Sequence, residues 1–274
     1  MKQKVYNPIL DSYIELPRPL NTIVSLDPAS TEIIFLLGFG SKVKATDAFS
    51  YRPNEARKTL KIGSYTHVNL EQLELLKPDI IFTTTGVQKE LTKKLLNMGF
   101  NVYPIPLPNS IAGILNNVLL IGNVIGAYGE ARKMYIELNQ IIFQNIVKSR
   151  KSRKYKIYVE FDLGGPITIG FPTHISDAIS ILDGVNIFDD YSEAYFTPKS
   201  EDILERDPDI IIYEPKKFSE DQLNKFHNSL RERGLNSLIN KPIFLTKGDY
   251  LAHMGPSFIT DSLNWLSNII SSLS

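Results

Sequence analysis

Short apolar runs alternate with amphipathic stretches along this chain, regularly enough to be read as elements. Residues 5–16 alternate around Asn7-Pro8 and Asp11-Ser12, which predicts a β-hairpin. Residues 22–26 predict a short buried strand. Asp27-Pro28 then supplies a cap and a first-turn proline for a helix over 31–37, which Gly38 ends. Further strands are predicted at 42–46, 80–83 and 101–105, with helices at 69–76 and 89–98 between them. The order β-α-β-α-β with short connections implies a mainly parallel sheet covered by helices. Two helices follow, over 110–125 and 130–149. The second has no Gly or Pro and carries Met134, Leu138, Ile141, Ile142 and Val147 at helical spacing as its packed face.

The second half repeats the first. Leu70-Glu71-Gln72-Leu73 before Pro78-Asp79-Ile80-Ile81 matches Ser200-Glu201-Asp202-Ile203 before Pro208-Asp209-Ile210-Ile211, and 201 − 71 and 208 − 78 both give 130. A helix over 175–182 ending at Gly184 parallels the one ending at Gly38, strands are predicted at 156–161, 210–213 and 242–246, and a helix over 257–273 closes the chain. The predicted fold is α/β: two Rossmann-like lobes, 1–126 and 153–274, joined by one long helix over 127–152 that acts as a strut, with a ligand cleft between the lobes.

Composition narrows the function. Among 274 residues, 30 Lys+Arg balance 30 Asp+Glu, which argues against nucleic acid as a partner. The basic cluster Lys148, Arg150, Lys151, Arg153, Lys154 and Lys156 lies where a helix ends, and cations there complement its dipole. The absence of cysteine excludes disulfides, thiolate metal sites and cysteine nucleophiles. Gly38-Phe39-Gly40 lacks the third glycine of a dinucleotide fingerprint and follows a helix instead of opening one. No phosphate-cradling P-loop and no Gly-x-Ser-x-Gly elbow is present, and the four histidines form no zinc pattern. No catalytic residue, intrinsic cofactor or dedicated metal site is predicted.

The remaining candidates are aromatic and acidic. Tyr51, Tyr65 and Tyr195 lie in loops leading into helices, at the sheet ends that face a crevice, where rings suit a planar ligand. Core or surface packing accounts for any single one of them about as well. Glu71 and Glu201 each occupy the first turn of a helix at equivalent positions. One such glutamate is a plain cap; a matched pair suggests two docking points for a pseudo-symmetric partner.

Ile23-Val24-Ser25-Leu26-Asp27-Pro28-Ala29-Ser30-Thr31-Glu32-Ile33, Lys61-Ile62-Gly63 with Asn69-Leu70-Glu71, and Leu75-Leu76-Lys77-Pro78-Asp79-Ile80-Ile81 resemble the class III periplasmic binding proteins. Gly184-Val185-Asn186-Ile187-Phe188 and Ser200-Glu201-Asp202-Ile203-Leu204 with Pro208-Asp209 extend the resemblance across nearly the whole chain. These are the cobalamin-, siderophore- and haem-binding subunits of ABC importers. The resemblance implies a monomeric, extracytoplasmic binding protein, not an enzyme, that delivers its solute to a permease. Glu71 and Glu201 then take the places of the carboxylates that pair with permease arginines, and Tyr51, Tyr65 and Tyr195 those of aromatic contacts with a corrin.

The sequence departs from the cobalamin-binding members in having Tyr65 and Tyr195 where tryptophan is frequent. Its one tryptophan, Trp265, reads as core. His174 would suit an axial contact to haem iron, and His253 stands in a loop that holds a basic residue in siderophore binders. The expected ligand is cobalamin or a related corrinoid, then haem, then a ferric siderophore. A two-lobed transferase acting on a nucleotide-activated substrate is the remoter reading, and a domain that kept the fold but lost the solute is another. The basic start Met-Lys-Gln-Lys-Val-Tyr has no apolar segment behind it. Met1 is therefore expected to be an added start residue, and the anchoring mode stays open.

Overall fold

A computed structural model of the chain describes residues 2–150 and 153–273. Met1 and Lys151, which figure in the expectations above, lie outside the described residues. The chain forms two compact units, the first running through Pro108 with Ala112–Asn139 and Met254–Pro256. The second holds Asn109–Ile111, Gln140–His253 and the chain from Ser257 onward.

The first unit opens with the predicted hairpin, β1 (Lys2–Asn7) antiparallel to β2 (Ser12–Pro17). Buried Asn7 shapes its turn, accepting from the amides of Ile9 (2.8 Å) and Leu10 (3.0 Å). The elements β3 (Ile23–Ser25), α1 (Pro28–Ile34), β4 (Val43–Asp47), β5 (Leu60–Gly63), α2 (Leu70–Leu76), β6 (Ile80–Thr84), α3 (Lys89–Asn97) and β7 (Val102–Ile105) follow. Their sheet has the order β5-β4-β3-β6-β7 with every pair parallel. Buried Val24, Leu26, Ala45 and Ile81 pack one face against Leu73 of α2 and Leu91 and Leu95 of α3. The helix α4 (Ile111–Ile125) comes next.

After α5 (Tyr128–Ser149), the second unit contains β8 (Lys156–Asp162), β9 (Pro166–Ile169), α6 (His174–Ile181), β10 (Val185–Asn186) and β11 (Tyr195–Phe196). It continues with α7 (Ser200–Arg206), β12 (Ile210–Glu214), α8 (Gln222–Glu232), β13 (Ile243–Leu245) and α9 (Asn264–Ser272). Its parallel core runs β10-β8-β12-β13, and β9 and β11 add antiparallel pairings beyond β8. The short strands β5, β9, β10 and β11 are not foreseen from sequence.

The internal repeat is structural down to single bonds. Both α2 and α7 are seven residues long, and each ends on a left-handed residue, Lys77 (φ 44°) and Asp207 (φ 43°). Asp79 then caps the start of β3, its carboxylate accepting from the Asn21 and Thr22 amides at 2.7 and 3.0 Å. Asp209 does the same for β8, accepting from the Lys156 amide at 2.8 Å. Their own amides donate to Thr22 and Lys156 carbonyls, both at 2.8 Å. The Pro-Asp pair is thus a clasp between a helix-to-strand turn and the strand beside it.

The division between units falls inside α5, between Asn139 and Gln140. Its buried stripe is Ala131, Leu138, Ile142, Asn145 and Ser149. Val147, expected on that face, is instead 56% exposed. The face turns toward Asn145 because its side chain is satisfied by Asn264 Oδ1 of α9 (2.6 Å) and the Ile141 carbonyl (2.9 Å). The expected terminal helix is a π-helical turn, Phe258–Leu263, running into α9. Trp265 is half-buried, not core, with its ring edge-on to Tyr250 at 6.1 Å.

Candidate functional site

In the first unit, Tyr51 and Tyr65 follow the C-terminal ends of β4 and β5, the edge where open parallel sheets bind ligands. A buried polar corner fixes the chain before Tyr51. Asp47 accepts from the Phe49 amide at 2.7 Å and from the Ser50 hydroxyl, and Ser50 Oγ lies 2.8 Å from Thr31 Oγ1 of α1. Lys61 of β5 donates to Thr46 Oγ1 (2.8 Å) and to the carbonyls of Ser50 and Ala56. Burial holds the Asp47 carboxyl above its ordinary value, against its hydrogen bonds to Ser50 and Phe49 and the opposing pull of Lys61. Tyr51, half-buried, is flanked by the guanidinium groups of Arg52 and Arg57, 5.0 and 5.1 Å from the ring centroid.

Gln88 does the same for Tyr65. Its Nε2 donates to the carbonyls of Leu26 and Tyr65, each at 2.6 Å, while its Oε1 accepts from the Thr84 amide at 2.7 Å. One buried amide therefore ties the ends of β3 and β6 to the loop that carries Tyr65. Gly63 permits that loop to fold back: a Cβ there would lie 2.0 Å from the His67 carbonyl oxygen. The loop ends at Asn69, whose side chain caps α2 through the Gln72 amide, and Glu71 stands exposed in the first turn.

The second unit brings His174 and His253 together, while Tyr195 lies within electrostatic reach of Glu214. Tyr195 opens β11 with its ring edge-on to Phe161 at 6.4 Å. It is 40% exposed, yet desolvation at the hydroxyl, with the Glu214 charge second, pushes its pKa up to about 12. His174 begins α6 behind its cap Thr173. It is 1% exposed, its Nε2 lies 2.9 Å from the Leu251 carbonyl, and its ring meets Phe258 at 4.6 Å. Burial lowers its pKa to about 4, so the ring is neutral and Nε2–H is the donor. His253 is buried too, in the loop that Leu251 anchors. The second acidic turn, Glu201 of α7, is exposed.

Sequence reasoning missed the residues that hold this edge in place, among them Gln88, Lys61 and above all Glu214, the last residue of β12. A carboxylate ending an apolar run and followed by proline is the only signal for Glu214. Also unread was that Tyr65 and Tyr195 share the repeat offset (195 − 65 is 130), so each unit carries Tyr and Glu six residues apart. Among the described residues no group of His, Asp or Glu is arranged to hold a metal, and no helix is long and apolar enough to cross a membrane. A cavity of about 360 Å³ in the second unit, floored by Glu160 and ringed by Lys216, Lys217 and Lys225, contains none of the predicted site residues.

Two α/β units built on one repeat, each with an aromatic loop and an acidic helix start at its sheet's C-terminal edge, define a binding protein of the bilobal class. The chain belongs to the periplasmic binding protein family, which it matches over residues 23–250. That family comprises ABC-transporter substrate-binding proteins, which bind solutes without transforming them and hand them to a permease. The vitamin B12-binding protein of Vibrio cholerae serotype O1 is 24% identical over 205 residues, 74% of each chain. The crystal structure of the V. cholerae periplasmic vitamin B12-binding protein superposes with a TM-score of 0.78 at 22% identity, covering 94% of this chain and all of that one. The apo periplasmic haem-binding protein of Roseiflexus sp. RS-1 gives 0.80 at 18% identity, with 92% and 98% covered. These likenesses in structure establish the fold.

Proposed function

We propose that this protein captures a corrinoid outside the cytoplasmic membrane and delivers it to an ABC permease. The observation that carries the reading is the duplicated edge, Tyr65 with Glu71 in one unit, on a loop held by buried Gln88, and Tyr195 with Glu201 in the other, where Tyr195 opens β11. Rings on rigid loops give a large apolar contact at low entropic cost, which suits a bulky macrocycle. The curated relatives named for vitamin B12 binding support the corrinoid as first candidate. Tyr51, Tyr65 and Tyr195 serve as stacking contacts, with His253 as a polar one.

His174 takes a different part from the axial one expected of it. With Nε2 committed to Leu251 and the ring packed on Phe258, it acts as a brace for the loop. Glu71 and Glu201 remain the docking carboxylates, since both are exposed on short helices where nothing else uses them.

A haem reading is favoured by the fold likeness to the haem-binding protein of Roseiflexus. Thermal-shift and difference-absorbance measurements with cyanocobalamin, dicyanocobinamide, haemin and ferric hydroxamates test the proposal. The corrinoids should raise Tm and shift the corrin bands; a response to haemin alone would select haem, and no response to any of the four would refute solute capture.

A further inference from the structure

The β12 strand reads Ile210-Ile211-Ile212-Tyr213-Glu214, every residue buried, so its last side chain places a carboxylate inside the second unit. No lysine or arginine pairs with it among the described residues. A buried carboxylate is costly unless hydrogen bonds replace its water. Two backbone amides do so, Leu251 N–H to Oε2 at 2.7 Å and Ala252 N–H to Oε1 at 3.0 Å. The same Leu251, itself fully buried, gives its carbonyl to His174 Nε2 at 2.9 Å.

Both polar groups of one backbone residue are thus held by buried ionisable side chains from two different elements. Two parallel N–H groups need two acceptors, which a carboxylate offers and a carboxamide does not. Neutral His174 supplies the single donor that the carbonyl needs. What these bonds hold is the segment that carries Tyr250 and His253, and Tyr195 lies within electrostatic reach of the same carboxylate.

We propose that Glu214 is a positioning residue for solute binding: with His174 it pins Leu251 and Ala252, and so sets the loop that carries Tyr250 and His253. The proposal rests on the solute-binding reading above. Asp249 and Tyr195 lie within electrostatic reach of Glu214, His253 within that of His174, and the Thr246 hydroxyl nearby donates to the Gly248 carbonyl at 2.8 Å.

Trp265 supplies the reporter. It is the chain's one tryptophan and stands edge-on to Tyr250 within the pinned segment's surroundings. The test compares wild type, Glu214→Gln and Glu214→Asp as full-length chains, by Trp265 emission, by amide exchange at 250–253 and by titration with cyanocobalamin and haemin. For Glu214→Gln, unchanged far-ultraviolet dichroism, a shifted Trp265 emission, faster exchange and an affinity weakened about ten-fold for whichever probe wild type binds are expected. Glu214→Asp, which keeps two acceptors on a shorter stem, should recover part of that loss. Wild-type affinity in Glu214→Gln overturns the proposal, whether or not the loop loosens. If Glu214→Gln does not fold, Glu214→Asp takes its place, with a loss of about three-fold expected and wild-type affinity again overturning. Wild type that binds neither probe would sink the solute-binding reading and this proposal with it, whereas binding by wild type and Glu214→Gln alike sinks this proposal alone.

Discussion

Glu214 and His174 enter the same loop with opposite titrations. Burial pushes the Glu214 carboxyl from 4.5 to about 7 and the His174 imidazole from 6.5 to about 4. Between pH 4.5 and 7 native Glu214 holds a proton that the unfolded chain has released, so its contribution falls as pH rises. Between pH 4 and 6.5 native His174 lacks a proton that the unfolded chain has bound, so its contribution rises with pH. Each amounts to roughly 3 kcal/mol across its window, and from pH 4.5 to 6.5 they oppose each other. Denaturant unfolding at a series of pH values should therefore show wild type losing ground to Glu214→Gln as pH rises and gaining on His174→Gln. Parallel curves would mean that burial shifts neither group. This balance was illegible in the sequence, because it comes from two residues 40 positions apart meeting at a third. The burial of His174 was equally illegible.

At the scale of elements, much was legible because turns and caps write themselves into sequence. Asp27-Pro28 fixes the start of α1, where Asp27 accepts from the Ser30 amide at 2.8 Å. The duplicated Pro-Asp gave both clasps and their spacing. Asp79→Ala removes two amide partners and Asp209→Ala one, together with an ion pair to the exposed Arg153. Scanning calorimetry should show each losing about 1–3 kcal/mol, with Asp79→Ala the larger. A neutral Asp79→Ala would remove the clasp from the account.

The helix α5 shows where pattern reading stops. Apolar spacing nominated Val147, but a buried polar pair took the inner face, Asn145 because α9 offers it partners and Ser149 by donating to the Ile146 carbonyl within α5. Leu138→Ala should cost about 2–4 kcal/mol and Val147→Ala less than about 0.5. Similar losses at both positions would contradict the assigned face. The strands β10 and β11 escaped notice because two residues each carry no period to detect.

For the whole molecule, the fold follows from duplication. One βα plan used twice yields two sheets with parallel cores, and the 130-residue offset puts a tyrosine and a glutamate at the same edge of each. Charge reversal of both Glu71 and Glu201 to Lys should leave solute affinity within about two-fold, since both side chains are exposed in first turns, while uptake through the cognate permease is lost. Uptake that survives would show that the two carboxylates are ordinary first-turn residues.

Solute capture itself is tested most directly by titrating cyanocobalamin into the purified chain by calorimetry, beside the Tyr65→Ala/Tyr195→Ala double variant. Saturable one-to-one binding in wild type, weakened at least about 30-fold in the double variant, is the predicted result. Binding that is absent in wild type, or equally strong without the two rings, would contradict it.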